Sequence, residues 1–285
     1  MKKILVTGAT GFIGNYVVEE LLRRGHHVIA TSSKKENAVA KNWFRKVIYK
    51  PFDFSNFDST VNYVEYFNHP DLLIHLAWKG LPNYKSDFHV KENLPNDIRF
   101  LKSLMDNGLK DITVTGTCLE YGMKEGCLSE NMESEPTIPY SVAKNELRKF
   151  LENYAFVNHV SFKWVRLFYI YGKGQNRNSL LSQLENAILK KEKVFNMSEG
   201  DQVRDYLSVE LAAQYIVKIA LQKKTTGIIN CCSGKPVKII DLVESYIRET
   251  ETEIELNKGF YPYPDYEPKV FWGNNLKLKK IINDK

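Results

Sequence analysis

Tyr140 and Lys144 stand at i and i+4 in Tyr140-Ser141-Val142-Ala143-Lys144. On a helix that spacing puts a phenol and an ammonium on one face. A tyrosine near its ordinary pKa of about 10 is a poor acid or base at neutral pH. A neighbouring cation favours the phenolate and brings the group closer to working range, as general acid–base catalysis needs. Pro139 suits a first helical turn, and Val142, Ala143, Leu147, Phe150 and Leu151 continue as an amphipathic stripe. The same spacing arises by chance in lysine-rich chains, so its meaning depends on what accompanies it.

That company begins at the N-terminus. Val6-Thr7-Gly8-Ala9-Thr10-Gly11-Phe12-Ile13-Gly14 lies between the apolar run Ile4-Leu5-Val6 and the helically spaced Val17-Val18-Glu19-Glu20-Leu21-Leu22. This reads as strand, glycine turn, helix. Gly8 can take the positive φ of a tight turn, Gly11 leaves room for a pyrophosphate, and Gly14 lets the helix approach the strand. The helix start then presents N–H groups to the phosphates. The spacing is G-x-x-G-x-x-G and not the common G-x-G-x-x-G, and a turn without a ligand would have the same composition.

The elements that must position these residues alternate along the chain. Arg23-Arg24-Gly25 ends the first helix, and His27-Val28-Ile29-Ala30-Thr31 reads as a second strand. Val47-Ile48-Tyr49, Leu72-Leu73-Ile74-His75-Leu76-Ala77 and Ile112-Thr113-Val114 are further strands. Helical spacing recurs from Lys91 to Asn107, from Ser179 to Lys191 and from Glu210 to Leu221. The alternation predicts an α/β fold, a Rossmann-like doubly wound parallel sheet. His75, inside an apolar strand, reads as a core residue and not as a catalyst.

Composition narrows the function classes. The chain has 285 residues, 43% of them hydrophobic, enough for a large core. Its charge of +6 suits anionic small molecules, and its lysine clusters at 190–193 and 277–280 read as solvated faces, with no nucleic-acid-binding signature. Cys118, Cys127, Cys231 and Cys232 show neither metal-ligand spacing nor a disulfide framework, which fits a reducing cytoplasm. Only three apolar residues precede Thr7 after the N-terminal lysines, and no run approaches the ~18 of a membrane span. No metal, nucleic acid or membrane is therefore expected.

Further motifs give the set a family likeness. Thr115-Gly116-Thr117-Cys118-Leu119-Glu120-Tyr121-Gly122 follows the fifth strand, and Arg166-Leu167-Phe168-Tyr169-Ile170-Tyr171-Gly172-Lys173-Gly174 follows the next. With the glycine turn and the Tyr140/Lys144 pair, they resemble the extended short-chain dehydrogenase/reductase family, most of whose members act on nucleotide sugars. The likeness spans nearly the whole chain, with stronger motifs before Gly172 than after it. It implies a dinucleotide-binding domain of residues 1–172, rejoined by 205–230. A smaller C-terminal substrate-binding lobe would take 173–204 and 231–285. Thr117, Tyr140 and Lys144 would be catalytic, Lys144 also holding the nicotinamide ribose and Thr117 orienting the substrate carbonyl. Gly8, Thr10, Gly11, Phe12, Ile13 and Gly14 would hold the cofactor. Phe54, Leu76, Ala77, Trp78 and Asn93 would complete its site. Asp53 would bind the adenine amino group, or cap the helix that follows.

The cofactor and reaction follow from departures within the likeness. At the end of the second strand an NAD-binding fold usually carries an acidic residue; here stand Ser32, Ser33, Lys34 and Lys35. Two hydroxyls and two cations suit a 2′-phosphate, so NADP(H) is expected over NAD(H). Tyr169 replaces the usual substrate-touching Asn of the family motif. Gln202-Val203-Arg204-Asp205-Tyr206 implies that Arg204 clamps a diphosphate, or else bonds structurally to Asp205 or another neighbour. Segment 260–268 lacks the second phosphate-binding Arg of many relatives, where tyrosine hydroxyls or Lys269 could substitute. Cys118-Leu119 replaces the Asp-Glu pair with which family dehydratases eliminate water, and the Cys/His pair of the GDP-fucose synthase branch is not in place either. The remaining chemistry is hydride transfer at C4: NADPH-dependent reduction of a nucleotide-linked 4-keto-6-deoxy sugar, resembling the dTDP-4-dehydro-6-deoxyglucose reductase branch. The alternatives are a 4-epimerase with tightly bound NAD and a non-catalytic dinucleotide sensor. A homodimer through helices near 92–107 and 140–156 is also implied by the family.

Overall fold

The apolar runs pair side by side into one parallel seven-stranded sheet. The computed structural model describes residues 1–284. First come β1 (Lys3–Thr7), α1 (Phe12–Arg23), β2 (His27–Thr31), α2 (Lys35–Val39), β3 (Ile48–Tyr49), α3 (Tyr63–Tyr66), β4 (Leu72–His75), α4 (Leu94–Asp106) and β5 (Asp111–Thr117). There follow β6 (Gly126–Leu128), α5 (Pro139–Val157), β7 (Ser161–Leu167), β8 (Tyr169–Tyr171), α6 (Leu180–Leu189), β9 (Val194–Asn196), β10 (Val203–Ser208), α7 (Val209–Leu221) and β11 (Gly227–Cys231). The last elements are β12 (Pro236–Lys238), α8 (Ile239–Glu249), β13 (Glu255–Asn257), β14 (Phe271–Gly273) and α9 (Leu276–Asn283).

The large sheet has the order β11-β7-β5-β4-β1-β2-β3. Successive strand side chains point to opposite faces. Ile4 and Val6 accordingly enter a core with α1 and α7, while Leu5 enters the opposite core with α4 and α5. Strand order reverses between β1 and β4, and the crevice beyond their C-terminal ends is where such folds bind ligands. The fold is the expected α/β doubly wound sheet. No helix among the described residues is long and apolar enough to cross a membrane.

A second body begins after β7. Strands β8 and β10 pair in parallel, β12 adds antiparallel, and α6, β9 and α8 close a separate small core around Leu184, Phe195 and Val243. α7 and β11 return to the large sheet. The terminal helix α9, assigned to the lobe from sequence, does not pack there. Its Leu278 and Ile281 lie in the large-sheet core with α7, because the stripe they form is apolar and α7 offers the matching face.

Candidate active site

The turn after β1 meets the end of β4 so closely that side chains are excluded. Gly8 has φ +66°, and a Cβ there would stand 2.8 Å from the Ala77 nitrogen. A Cβ on Gly14 would meet the Gly8 carbonyl oxygen at 2.1 Å. No side chain caps the start of α1, which leaves its first N–H groups for an anion. The cleft beside this turn has a volume of about 210 Å³ and is bordered by Gly8, Thr10, Gly11, Ser32, Ser33, Asp53 and Phe54. Leu76, Ala77, Trp78 and Asn93 form its other wall. The glycine cradle and the uncapped helix start fit the pyrophosphate of a dinucleotide.

Of the two roles open to Asp53 in the sequence, the structure shows the cap. The residue caps the turn Phe54–Asn56 by accepting from Ser55 N at 3.0 Å, and it borders the cleft. Burial opposes its ionisation, but Lys79, 2.6 Å away, and Ser55 hold its carboxyl down at about 2. The Ser32 hydroxyl lies 2.9 Å from that of Tyr49. Lys34 is exposed at the start of α2 and does not border the cleft. Asn93 ends a π-helical turn, His89–Asn93, and donates to the Lys79 carbonyl at 3.0 Å. His75 is fully buried, bonded at 2.9 Å to the Thr7 hydroxyl and away from both cavities.

A larger cavity of about 570 Å³ adjoins the cleft, and Gly8, Gly11, Leu76 and Trp78 border both. Phe12, Ile13, Gly14, Thr117, Tyr140, Lys144 and Tyr169 all face it. α5 begins with Pro139 at its first turn and places Tyr140 and Lys144 on one side. The Lys144 ammonium donates to the Thr115 carbonyl at 3.0 Å and lies 3.9 Å from the centre of the Trp78 ring. Burial pulls its pKa down to about 8, against the opposing pull of Asp97 and Glu120. The Tyr140 phenol moves the other way from the sequence-based expectation. Burial, reinforced by Tyr84, Glu120 and Cys118, holds its proton well above the usual tyrosine range, and the Thr117 hydroxyl only partly offsets this. Tyr140 is thus neutral at pH 7.

Thr117 is fixed from below by Glu120, a residue the sequence reading passed over. This fully buried carboxylate accepts from Thr117 N at 2.8 Å, Trp164 Nε1 at 3.0 Å and Arg166 Nε at 2.9 Å. Thr117-x-x-Glu120 is a capping box, a pattern visible in the sequence. Gly116 leaves the space: a Cβ there would stand 2.3 Å from Glu120 Oε1.

Arg204 does not reach the cavity. It is 1% exposed, and its guanidinium donates to the Val203 and Lys269 carbonyls at 2.9 Å, to Glu267 Oε2 at 3.0 Å and to the Tyr169 hydroxyl at 3.2 Å. With these partners it cannot clamp a diphosphate; the structural alternative is the one observed, with Glu267 in place of Asp205. Lys269 pairs with Asp201 at 2.5 Å, at the surface. Glu267 itself borders the cavity, as do Tyr84 and Cys118. Nothing local in the sequence marks Glu267, since its partner is 63 residues away.

Comparison with known proteins agrees with the fold. The model of the NAD dependent epimerase/dehydratase family matches residues 4–232. A dTDP-6-deoxy-L-talose 4-dehydrogenase (NAD(+)) of Aggregatibacter actinomycetemcomitans is 31% identical over 271 residues, covering 95% of this chain and 98% of that one. A GDP-6-deoxy-D-talose 4-dehydrogenase of the same organism is 27% identical, covering 99% of this chain and 92% of its own. Among solved structures, a UDP-glucuronic acid 4-epimerase of Bacillus cereus, in complex with UDP-glucuronic acid and NAD, superposes with a TM-score of 0.83 at 23% identity. That match covers 99% of this chain and 93% of the epimerase, and it shows the fold. The chain belongs to the NAD-dependent epimerase/dehydratase family.

Proposed function

We propose that this protein reduces the C4 ketone of a nucleotide-linked 4-keto-6-deoxy sugar to the hydroxyl, as a step in making deoxysugars for surface polysaccharide. The observation that carries the reading is the convergence of Thr117, Tyr140 and Lys144 on one cavity that opens into the glycine-bordered cleft. A nicotinamide dinucleotide in that cleft supplies the hydride. Thr117 Oγ1 hydrogen-bonds to the ketone oxygen and orients it. Tyr140 Oη, neutral because it is buried, gives its proton to the oxygen emerging at C4. The Lys144 ammonium holds the ribose and stabilises the phenolate left behind. Cys118 and Leu119 occupy the places where elimination would need carboxylates, and burial keeps the Cys118 thiol protonated. The relatives named as 4-dehydrogenases support C4 as the reacting carbon.

NADPH is the proposed donor, on the strength of Ser32 and Ser33 bordering the cleft where a carboxylate would disfavour a 2′-phosphate. Equal turnover with NADH and NADPH would remove that part of the reading and leave the rest. The second reading, a 4-epimerase, is favoured by the names of the structural neighbours. Purified protein carrying stoichiometric NAD would support it. Incubation with NADPH and the dTDP- or GDP-linked 4-keto-6-deoxy sugar separates the two. A reductase oxidises one NADPH per ketone lost, whereas ketone loss or isomerisation without net oxidation overturns the proposal. We also propose a homodimer through α4 and α5, where Phe156 and Val157 are exposed; a solution mass of twice 33.0 kDa is the expected result.

A further inference from the structure

Glu267 and Arg204 form an oriented ion pair. Arg204 is buried behind the cavity wall, 1% exposed, while Glu267 forms part of that wall with its side chain 11% exposed. The pair therefore turns its negative end toward the cavity, and four of its neighbours register this. Burial raises the pKa values of Tyr84, Cys118, Tyr169 and Tyr266, and in each the Glu267 charge is the next contributor, raising them further. Tyr84 packs 5.5 Å from the Tyr140 ring and Cys118 follows Thr117, and all of them line the same cavity as Glu267. A carboxylate only accepts hydrogen bonds, so it favours sugar hydroxyls and repels an acid group.

We propose that Glu267 is a specificity-determining residue: it accepts from a ring hydroxyl of the bound sugar and excludes nucleotide-linked uronic acids, whose C6 carboxylate would enter the same cavity. The inference rests on the nucleotide-sugar reading above.

Matched ligands that differ only at C6 test it, in both nucleotide series: dTDP-glucose against dTDP-glucuronate, and UDP-glucose against UDP-glucuronate. Dissociation constants are measured by titration calorimetry on the full chain loaded with NADP⁺. For the wild type we expect the neutral member of the better-bound pair to bind about 30-fold more tightly, the scale of a like charge at close range that the Arg204 guanidinium partly offsets. In Glu267→Gln the ratio should shrink to within about threefold, and Glu267→Asp should restore most of it. A wild-type ratio near one overturns the proposal without any variant having to fold. An unchanged ratio in a folded Glu267→Gln protein overturns it as well, since another group would then be responsible. Equal binding of both members leaves the nucleotide-sugar reading standing, whereas binding of neither neutral sugar in either series overturns both.

Discussion

Tyr140 and Lys144 are pushed by burial in opposite directions, the phenol toward holding its proton and the ammonium toward losing its own. Ketone reduction needs a neutral donor beside a cation that can neutralise the phenolate; the Tyr140 shift supplies the first, and the Lys144 shift limits the second to lower pH. Lys144 is charged below about pH 8 and neutral above it. The rate of reduction should therefore hold at lower pH and fall as pH rises through that value, approaching roughly tenfold per unit. A pH profile of kcat checks this, and Lys144→Met should be slow at every pH with the alkaline limb gone. Tyr140→Phe should lower kcat by roughly 10³ while leaving dinucleotide affinity and melting temperature near wild type, because it deletes one proton and little contact area. The Tyr140/Lys144 spacing was legible because it is local, whereas the direction of the Tyr140 shift was not, because burial depends on Tyr84, Glu120 and Cys118 arriving from elsewhere. The choice between the two roles of Arg204 was not legible for the same reason: no local pattern announces Glu267 as its partner.

At the scale of elements, the glycine turn packs directly against α1 and the end of β4. Gly14→Ala would put a methyl group 2.1 Å from the Gly8 carbonyl, so α1 must retreat from the turn proposed to cradle the phosphates. A cost of about 1–3 kcal/mol in unfolding free energy is expected, together with weakened dinucleotide binding measured by fluorescence titration. This unit could be read from sequence almost residue by residue, since strand, turn and helix each carry their own signature. The start of the next site helix could not. Apolar spacing runs smoothly from Lys91, yet the chain takes a π-helical turn over His89–Asn93 before α4 begins at Leu94. That turn faces Asn93 to the Lys79 carbonyl beside the cleft, a tertiary demand that local propensity does not encode. The capping box under Thr117 is the converse case, a written pattern whose importance emerges only when Trp164 and Arg166 converge on Glu120.

Across the whole molecule, the large sheet places the glycine cleft at the reversal of strand order, and the lobe adds Tyr169 and Glu267 to the cavity beside it. The chain then returns, through α9, to the core beneath the sheet. Leu278→Ala, at a site 1% exposed, should cost about 2–5 kcal/mol in denaturant unfolding, although it lies far from the cavity in sequence and role. The α/β architecture was legible because apolar strands and amphipathic helices alternate, while the return of α9 depends on a docking partner, α7, that sequence periodicity alone does not identify. What the assembled molecule is proposed to do is deliver hydride to C4 of a bound sugar. The most direct test supplies NADPH deuterated at nicotinamide C4, both faces labelled, with a dTDP- or GDP-linked 4-keto-6-deoxy sugar and examines the sugar by NMR and mass spectrometry. One deuterium at C4 of a 4-hydroxy product is the expected result; a product formed without deuterium at C4, or with deuterium elsewhere on the ring, would contradict it.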